Sequence, residues 1–172
     1  MSTPQTQLSM AELVEWTSAV AADVRAGLYD VRADPQERWH VRLYCDDRVD
    51  LWLISWTEDQ GTQLHDHGGS SGAFTVVSGE LTESVWTAGP GSLQDHARSA
   101  GDTVVFGERY VHDVRNQQEP VAVSVHAYSP PLERMSFYDV EDRRLVRLAE
   151  LWTDDPEAGL PEQAATPQRT VA

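Results

Sequence analysis

Alternation of apolar and polar side chains with period two is the feature that most constrains the fold of this chain. Between residues 49 and 56, alternate positions fall into two sets that face opposite ways in a strand, Val49, Leu51, Leu53 and Ser55 against Asp50, Trp52, Ile54 and Trp56. Further short runs rich in β-forming residues follow at 73–78, 81–87, 103–106 and 121–128, bounded by Gly, Pro, Asp, Asn or Ser. The pattern predicts a mainly β domain, an antiparallel sandwich or barrel.

The regions that flank this β domain differ from it in pattern. Residues 10–28 carry apolar positions at helical spacing, with Ser9 and Glu12 as a capping box and Gly27 as a stop signal. We therefore expect a helical segment at 1–38, packed on a domain at 39–151. Residues 136–151 fit a helix as well as a hairpin that turns at 141–144. The Pro- and Ala-rich stretch 152–172 predicts a disordered tail.

Two short connections and one loop are also predicted within the β domain. Residues 58–61 and 79–80 are expected to connect hairpins. His96 lies in a stretch rich in Gly and Ser, and we expect it in a solvated loop.

Composition excludes several classes of partner. The 172 residues suit one domain. The net charge is −15, and the 13 residues counted as Lys or Arg are all arginine. Such a surface repels nucleic acid and anionic membranes, so neither is an expected partner. No apolar run is long enough to span a bilayer and the N-terminus lacks a secretory signal, which predicts a cytoplasmic protein. Cys45 is the single cysteine, so neither an intrachain disulfide nor a cysteine-based zinc site can form.

A pair of histidines at strand spacing is the first candidate for chemistry. His65 and His67 lie two residues apart, so in a strand both project from one face and can bind one transition metal. Such a pair alone is weak evidence, because structural histidines are an alternative. Its surroundings strengthen it: four residues separate His67 from Gly72, and six separate Gly72 from Gly79. Gly61 precedes His65 by four residues.

A second set of residues follows at a matching distance. Gly101, His112 and Asn116 occur in register with a Gly…His…Asn motif, while Gly107 and Arg109 stand where that motif has Pro and Gly. Together the two sets resemble the paired motifs of the cupin superfamily, with the opening glycine displaced. The resemblance implies a cupin antiparallel β-barrel, a jelly-roll-like double-stranded β-helix, with a metal on His65, His67 and His112.

Gly72 separates this chain from most cupins. It stands where the first cupin motif has a glutamate ligand, and a site with three histidines and no glutamate resembles the thiol dioxygenases, above all the cysteine dioxygenases. In the animal members this position carries a cysteine that crosslinks to the catalytic tyrosine. Bacterial relatives commonly have glycine, as here, which implies an uncrosslinked tyrosine.

Further residues match that family. Ser124, His126 and Tyr128 alternate before Ser-Pro-Pro, and they resemble the family's hydrogen-bonded Ser-His-Tyr series beside the iron. Arg42 corresponds to the arginine that binds the substrate carboxylate, a task that suits a guanidinium fork. His40 replaces the tyrosine of the family's Tyr-x-Arg, so its contact with substrate stays open. Relatives that prefer 3-mercaptopropionate often have glutamine in place of the arginine, so Arg42 favours cysteine.

The resemblance implies an Fe(II)-dependent cysteine dioxygenase that oxidises L-cysteine with O2 to cysteine sulfinic acid, and it favours a monomer. Ser124, His126 and Tyr128 would be the catalytic series, with Arg42, Tyr128 and His40 binding substrate. Two alternatives stay open at this point. One is a dioxygenase for another small thiol such as 3-mercaptopropionate; the other is a metal-binding cupin without redox chemistry, such as an isomerase or an effector-binding module.

Overall fold

The computed structural model describes residues 7–160, which contain one α-helix and ten β-strands. Their bounds are α1 Met10–Arg25, β1 His40–Cys45, β2 Asp50–Trp56, β3 Ser71–Ser78, β4 Glu80–Thr87, β5 Ser92–Ser99, β6 Thr103–Phe106, β7 His112–Arg115, β8 Ala122–Ser129, β9 Arg134–Glu141 and β10 Arg144–Trp152.

Helix α1 begins and ends on signals that the sequence predicts. The Ser9 side chain accepts a hydrogen bond from the Glu12 backbone N–H, and the Glu12 carboxylate accepts from the Ser9 N–H at 2.7 Å, which confirms the capping box. The helix ends at Arg25, and Gly27 follows with a positive φ of 80° that ordinary residues disfavour. Within residues 7–160, no helical segment combines the length and the apolar character that a membrane crossing requires.

The strands form an antiparallel barrel. One wall is a five-stranded sheet of order β1-β2-β8-β3-β6, and the other comprises the sheets β5-β4-β7 and β10-β9. His65 joins these last two sheets, because it forms isolated bridges with His112 of β7 and with Phe137 of β9. This is the mainly β architecture that the sequence predicts.

The central strand β2 is buried on both faces. Its outward residues Leu51 and Leu53 pack with Leu13 and Ala21 of α1 in one apolar cluster. The inward residues Trp52, Ile54 and Trp56 pack with Phe74 in a second cluster inside the barrel. The two faces predicted from period two are therefore confirmed, and the helix covers the outer one.

The two predicted hairpin connections were wrong. Residue 79 leads from β3 in the five-stranded sheet to β4 in the opposite wall, and residues 58–61 lead from β2 to a segment that bridges Arg115 of β7. Both connections cross between sheets because the neighbours of β2 and β3 come from distant parts of the chain. Gly79 has a φ of 73°, and a Cβ there would lie 2.8 Å from the Cα of Ala122.

Two segments of uncertain or loop-like sequence are β-strands in the structure. Residues 136–151 belong to the β9–β10 hairpin, which turns through Asp142 and Arg143, both with positive φ. His96 lies on β5, opposite Glu83 of β4, so the predicted loop there was wrong.

The segment after β10 differs from the expected disordered tail over residues 152–160. Trp152 is paired with Arg134 in the hairpin, and Thr153 donates its N–H to the carbonyl of Glu133 at 2.9 Å. Residues 153–160 then lie against the barrel, with Pro156 buried. The remaining part of the predicted tail, 161–172, lies outside the described residues.

Candidate active site

The three predicted metal ligands meet inside the barrel. His65 and His67 flank Asp66 on the segment that joins the two smaller sheets, and His112 begins β7. The backbones of His65 and His112 exchange two hydrogen bonds of 3.0 and 3.1 Å. Asp66 holds the intervening turn, since its carboxylate accepts from the N–H groups of Gly68 and Ser136 and from the Tyr138 hydroxyl. The backbone therefore fixes the spacing of the imidazoles.

The ring nitrogens converge as metal ligands do. One ligand atom from each of His65, His67 and His112 lies within 4.8 Å of the others, and all three side chains are buried. The Nε2 atoms of His65 and His67 are 3.2 Å apart. Two nitrogens that share one ion at about 2.1 Å are separated by about 3.0 to 3.4 Å for angles between octahedral and tetrahedral. The residues present thus fit a first-row transition metal.

Hydrogen bonds set the tautomers of two ligands. Nδ1 of His65 lies 2.6 Å from the Gln63 carbonyl oxygen, and Nδ1 of His112 lies 2.8 Å from Oε1 of Glu83. Since carbonyl and carboxylate oxygens only accept, each Nδ1 carries the proton and each Nε2 presents a lone pair to the centre. Nδ1 of His67 is buried and has no partner among the described residues.

Burial also keeps two of the ligand imidazoles, those of His65 and His67, neutral. It lowers the pKa of His65 to about 3, helped by the charge of His112, and lowers the pKa of His67 well below the ordinary value. Burial likewise lowers the pKa of His126 to about 3. Neutral rings leave their lone pairs available for a cation near pH 7.

Glu83 supports this centre, although it is not among the site residues that the sequence predicted. It is fully buried on β4, and its pKa lies below the ordinary value because hydrogen bonds from His112, Tyr110 and Arg98 outweigh desolvation by burial. Its Oε1 accepts from His112 and from the Tyr110 hydroxyl at 2.8 Å, and Oε2 accepts from Arg98 at 2.7 Å. The sequence does carry one signal for Glu83: it is a carboxylate two residues after the buried Leu81, on the same inward face of β4.

Gly72 leaves no room for a ligand or a crosslink. A Cβ at this position would lie 2.5 Å from a ring carbon of Phe106 and 2.7 Å from the carbonyl oxygen of Ala127. Gly72 pairs with Tyr128 across β3 and β8, so the position is adjacent to the tyrosine. The packing explains why a bare backbone is found there.

The predicted Ser-His-Tyr series lines the inner face of β8. The Ser124 hydroxyl lies 2.8 Å from Nε2 of His126 and accepts from Nε1 of Trp56 at 2.9 Å. The ring of Tyr128 lies 5.0 Å from that of His67 and 6.5 Å from that of His126. Among the described residues no hydrogen bond joins His126 to Tyr128, so the series is closed only at its serine end. Burial, followed by the charges of Asp50 and Asp155, raises the pKa of Tyr128 above its ordinary value, and its phenol stays protonated.

Arg42 and His40 lie on the same barrel face as this series. Arg42 pairs with Trp52, and Trp52 pairs with His126 in the next strand, so the three side chains form a row. The Arg42 guanidinium lies 4.6 Å from the Trp52 ring and donates to both oxygens of Asp50, at 2.9 and 3.2 Å. Nε2 of His40 lies 3.1 Å from Oδ1 of Asp155.

Two further polar groups in this region were missed from the sequence. Arg38 precedes β1, lies 5.0 Å above the Trp56 ring, and has its pKa lowered to about 10 by burial, which the charge of Asp155 partly offsets. The indole Nε1 of Trp52 is buried without a partner among the described residues. Neither the spacing nor the composition of the sequence marks these side chains as part of a site.

Solved structures similar to this chain share the barrel. A cupin protein from Desulfovibrio desulfuricans is 18% identical with a TM-score of 0.51, over 61% of this chain and 93% of that one. A protein with a double-stranded β-helix domain from Klebsiella pneumoniae is 17% identical with a TM-score of 0.50, over 74% of this chain and 91% of that one. At these identities the likeness shows the fold alone, the cupin double-stranded β-helix.

Sequence comparison identifies the family. Cysteine dioxygenase type 1 of Danio rerio is 29% identical over 102 residues, which span 54% of this chain and 50% of the length of that protein. The family model of cysteine dioxygenase type I matches residues 12–141. That match contains the three histidines, the Ser-His-Tyr series and Arg42. The chain therefore belongs to the cysteine dioxygenase type I family.

Proposed function

We propose that this protein is an Fe(II)-dependent dioxygenase that oxidises the thiol of L-cysteine with O2 to cysteine sulfinic acid. The observation that carries the proposal is the buried set of three converging imidazoles, two of which burial keeps neutral, with no carboxylate among the converging ligand atoms of the described residues. A phenol and a guanidinium lie on the adjoining barrel face. The family match supports the same reaction class.

His65, His67 and His112 are the residues that would hold the iron. Imidazole suits several first-row metals, and the family favours iron among them. Iron held there would supply the redox chemistry by which O2 oxidises the substrate thiol to the sulfinic acid. The chain contributes neutral nitrogen donors, and Gln63 and Glu83 hold two of them in the required tautomer.

Arg42 would bind the carboxylate of the substrate. Its guanidinium stays charged, and the fully buried Asp50 orients it through two hydrogen bonds. The indole N–H of Trp52, which lies beside Arg42, is a further hydrogen-bond donor. His40 packs near the Trp52 ring, and we propose that it also contacts the substrate. Since the arginine is present, we favour cysteine over 3-mercaptopropionate.

Tyr128 would orient the substrate by donating a hydrogen bond. Its raised pKa keeps the proton on the hydroxyl at neutral pH, and its ring is packed against that of His67. The Ser124 hydroxyl and Trp56 fix the His126 ring beside it. These buried groups also exclude bulk water from the reacting sulfur.

The proposal is tested by loading the protein with Fe(II) anaerobically and measuring O2 uptake with cysteine and with 3-mercaptopropionate side by side, while sulfinate is quantified. We expect saturable uptake with cysteine, coupled about one to one with sulfinate. Preference for 3-mercaptopropionate would overturn the substrate but keep the reaction. Absence of uptake with either thiol, despite bound iron, would support a metal-binding cupin without redox chemistry.

A further inference from the structure

The segment after β10 carries an acidic cluster that is built into the barrel. We call residues 153–160 the acidic strap; its charged residues are Asp154, Asp155 and Glu157. Its far end is held by Gln63, whose side chain accepts from the Leu160 N–H at 2.7 Å and donates to the Leu160 carbonyl at 3.3 Å. Gln63 also supplies the carbonyl that accepts from His65, so the strap is anchored beside a metal ligand.

Each acid of the strap meets one member of a basic row. Arg38, His40 and Arg42 alternate along the chain and so share the face that borders the candidate site. Glu157 pairs with Arg38, Asp155 with His40 at 3.1 Å, and Asp154 with Arg42 at 3.1 Å. The strap thus places one carboxylate, that of Asp154, on the residue that the proposed function assigns to the carboxylate of the substrate.

The three contacts differ in burial. The Glu157 side chain is 5% exposed, whereas that of Asp154 is 73% exposed. A pair with one well-exposed partner is weak because water and salt screen it, and it exchanges readily. Asp50 meanwhile keeps Arg42 oriented from the buried side. Asp154 is therefore the member of the strap that can be displaced while Glu157 keeps the segment attached.

The same face holds a donor that the strap does not use. Trp52 is 8% exposed, its Nε1 has no partner among the described residues, and its ring lies 4.6 Å from the guanidinium of Arg42. A buried N–H without an acceptor is costly, so a substrate carboxylate on Arg42 that also accepted from this N–H would gain a contact that Asp154 does not make.

We propose that the acidic strap determines substrate specificity: the carboxylate of Asp154 competes with the carboxylate of the substrate for Arg42, and substrate binding displaces it. This inference rests on the proposed function. The strap therefore weakens the binding of carboxylate-bearing thiols selectively, because these thiols must displace Asp154 from Arg42 before they bind. A thiol without a carboxylate gains nothing from that displacement.

The variant Asp154→Asn tests the competition. It removes the negative charge and keeps the shape, so the KM for cysteine should fall about fivefold, the size of one exposed ion pair, with kcat little changed. The KM for 2-aminoethanethiol, which has no carboxylate, should not fall. Asp23→Asn, the same change on an exposed position of α1, is the matched control and should alter neither value.

Hydrogen exchange provides a readout that is independent of turnover. Cysteine should increase deuterium uptake in residues 153–160 of the Fe(II)-loaded protein, and 2-aminoethanethiol at equal concentration should not. Equal KM changes for the two thiols, no change for either, or equal exchange with both would overturn the role of the strap. If the wild-type protein oxidises neither thiol, the proposed function fails on its own. In that case the hydrogen-exchange experiment alone tests whether cysteine displaces the strap.

Discussion

The two sides of this barrel interior are held together by different forces. On the metal side, three buried imidazoles are fixed by backbone bonds and by Gln63 and Glu83. On the substrate side, Arg42 and His40 meet carboxylates that are 73% and 43% exposed. The first arrangement is closed to water and rigid, whereas the second is charged and exchangeable. Their contrast suggests that one side serves the metal and the other admits a charged ligand.

Removing a ligand from the rigid side should have the largest effect. We expect His112→Ala to abolish iron binding and turnover together, since two imidazoles remain and the Glu83 carboxylate loses a partner. Iron content by metal analysis and O2 uptake measure the two effects. Full iron occupancy in this variant would contradict the assignment of His112.

A smaller loss is expected when the support of a ligand is weakened. Glu83→Gln retains the shape of the side chain but removes the charge beside His112, so metal affinity should fall about 10- to 100-fold. A competition titration against a chelator measures it. Glu80→Gln makes the same change at the start of β4, where the carboxylate contacts Ser99 and Gln118, and should have no such effect.

On the exchangeable side, Arg42→Lys should separate binding from metal content. Lysine keeps a charge near Asp50 but lacks the guanidinium fork, so the KM for cysteine should rise about tenfold, the loss of one charge-assisted hydrogen bond. Iron content should stay at the wild-type level. An unchanged kcat/KM would remove Arg42 from substrate binding, and a loss of iron would show that the two sides are not independent.

Acid should destabilise the metal-free protein gradually through its buried histidines. The folded pKa of His126 is about 3 against an ordinary value of 6.5, so between these values the unfolded chain binds the extra proton. Stability is then fully present above pH 6.5 and is lost as the pH falls, by up to about 1.4 kcal/mol per pH unit for each such group.

Urea unfolding at several pH values between 7.5 and 5 measures this slope. The variant His126→Gln should make the slope shallower. An identical pH dependence in both proteins would show that the His126 ring is not held neutral by the fold.

The sequence predicted the local parts of this molecule and missed those that depend on distant contacts. Period two identified both faces of β2, and the motif spacing identified His65, His67 and His112, because each signal lies within a few residues. Glu83 was missed because its role depends on β7, which pairs with β4 from about 30 residues away.

The acidic strap shows the same limit more clearly. Asp154 and Arg42 are separated by 112 positions, and no periodicity links them. An acidic stretch rich in Pro and Ala favours disorder by composition, and only the basic row on the barrel gives it a place to bind. The crossing connections at 58–61 and 79–80 were mistaken for hairpins for a related reason, since strand partners in this barrel are set by global topology.

The most direct test of the central claim is to supply the Fe(II)-loaded protein with cysteine and isotopically labelled ¹⁸O2, and to analyse the product by mass spectrometry. If the three-histidine centre supports a dioxygenase reaction, the cysteine sulfinic acid carries two labelled oxygen atoms. Product with one labelled atom, or cystine formed with no label in the organic product, would contradict dioxygenation at this site.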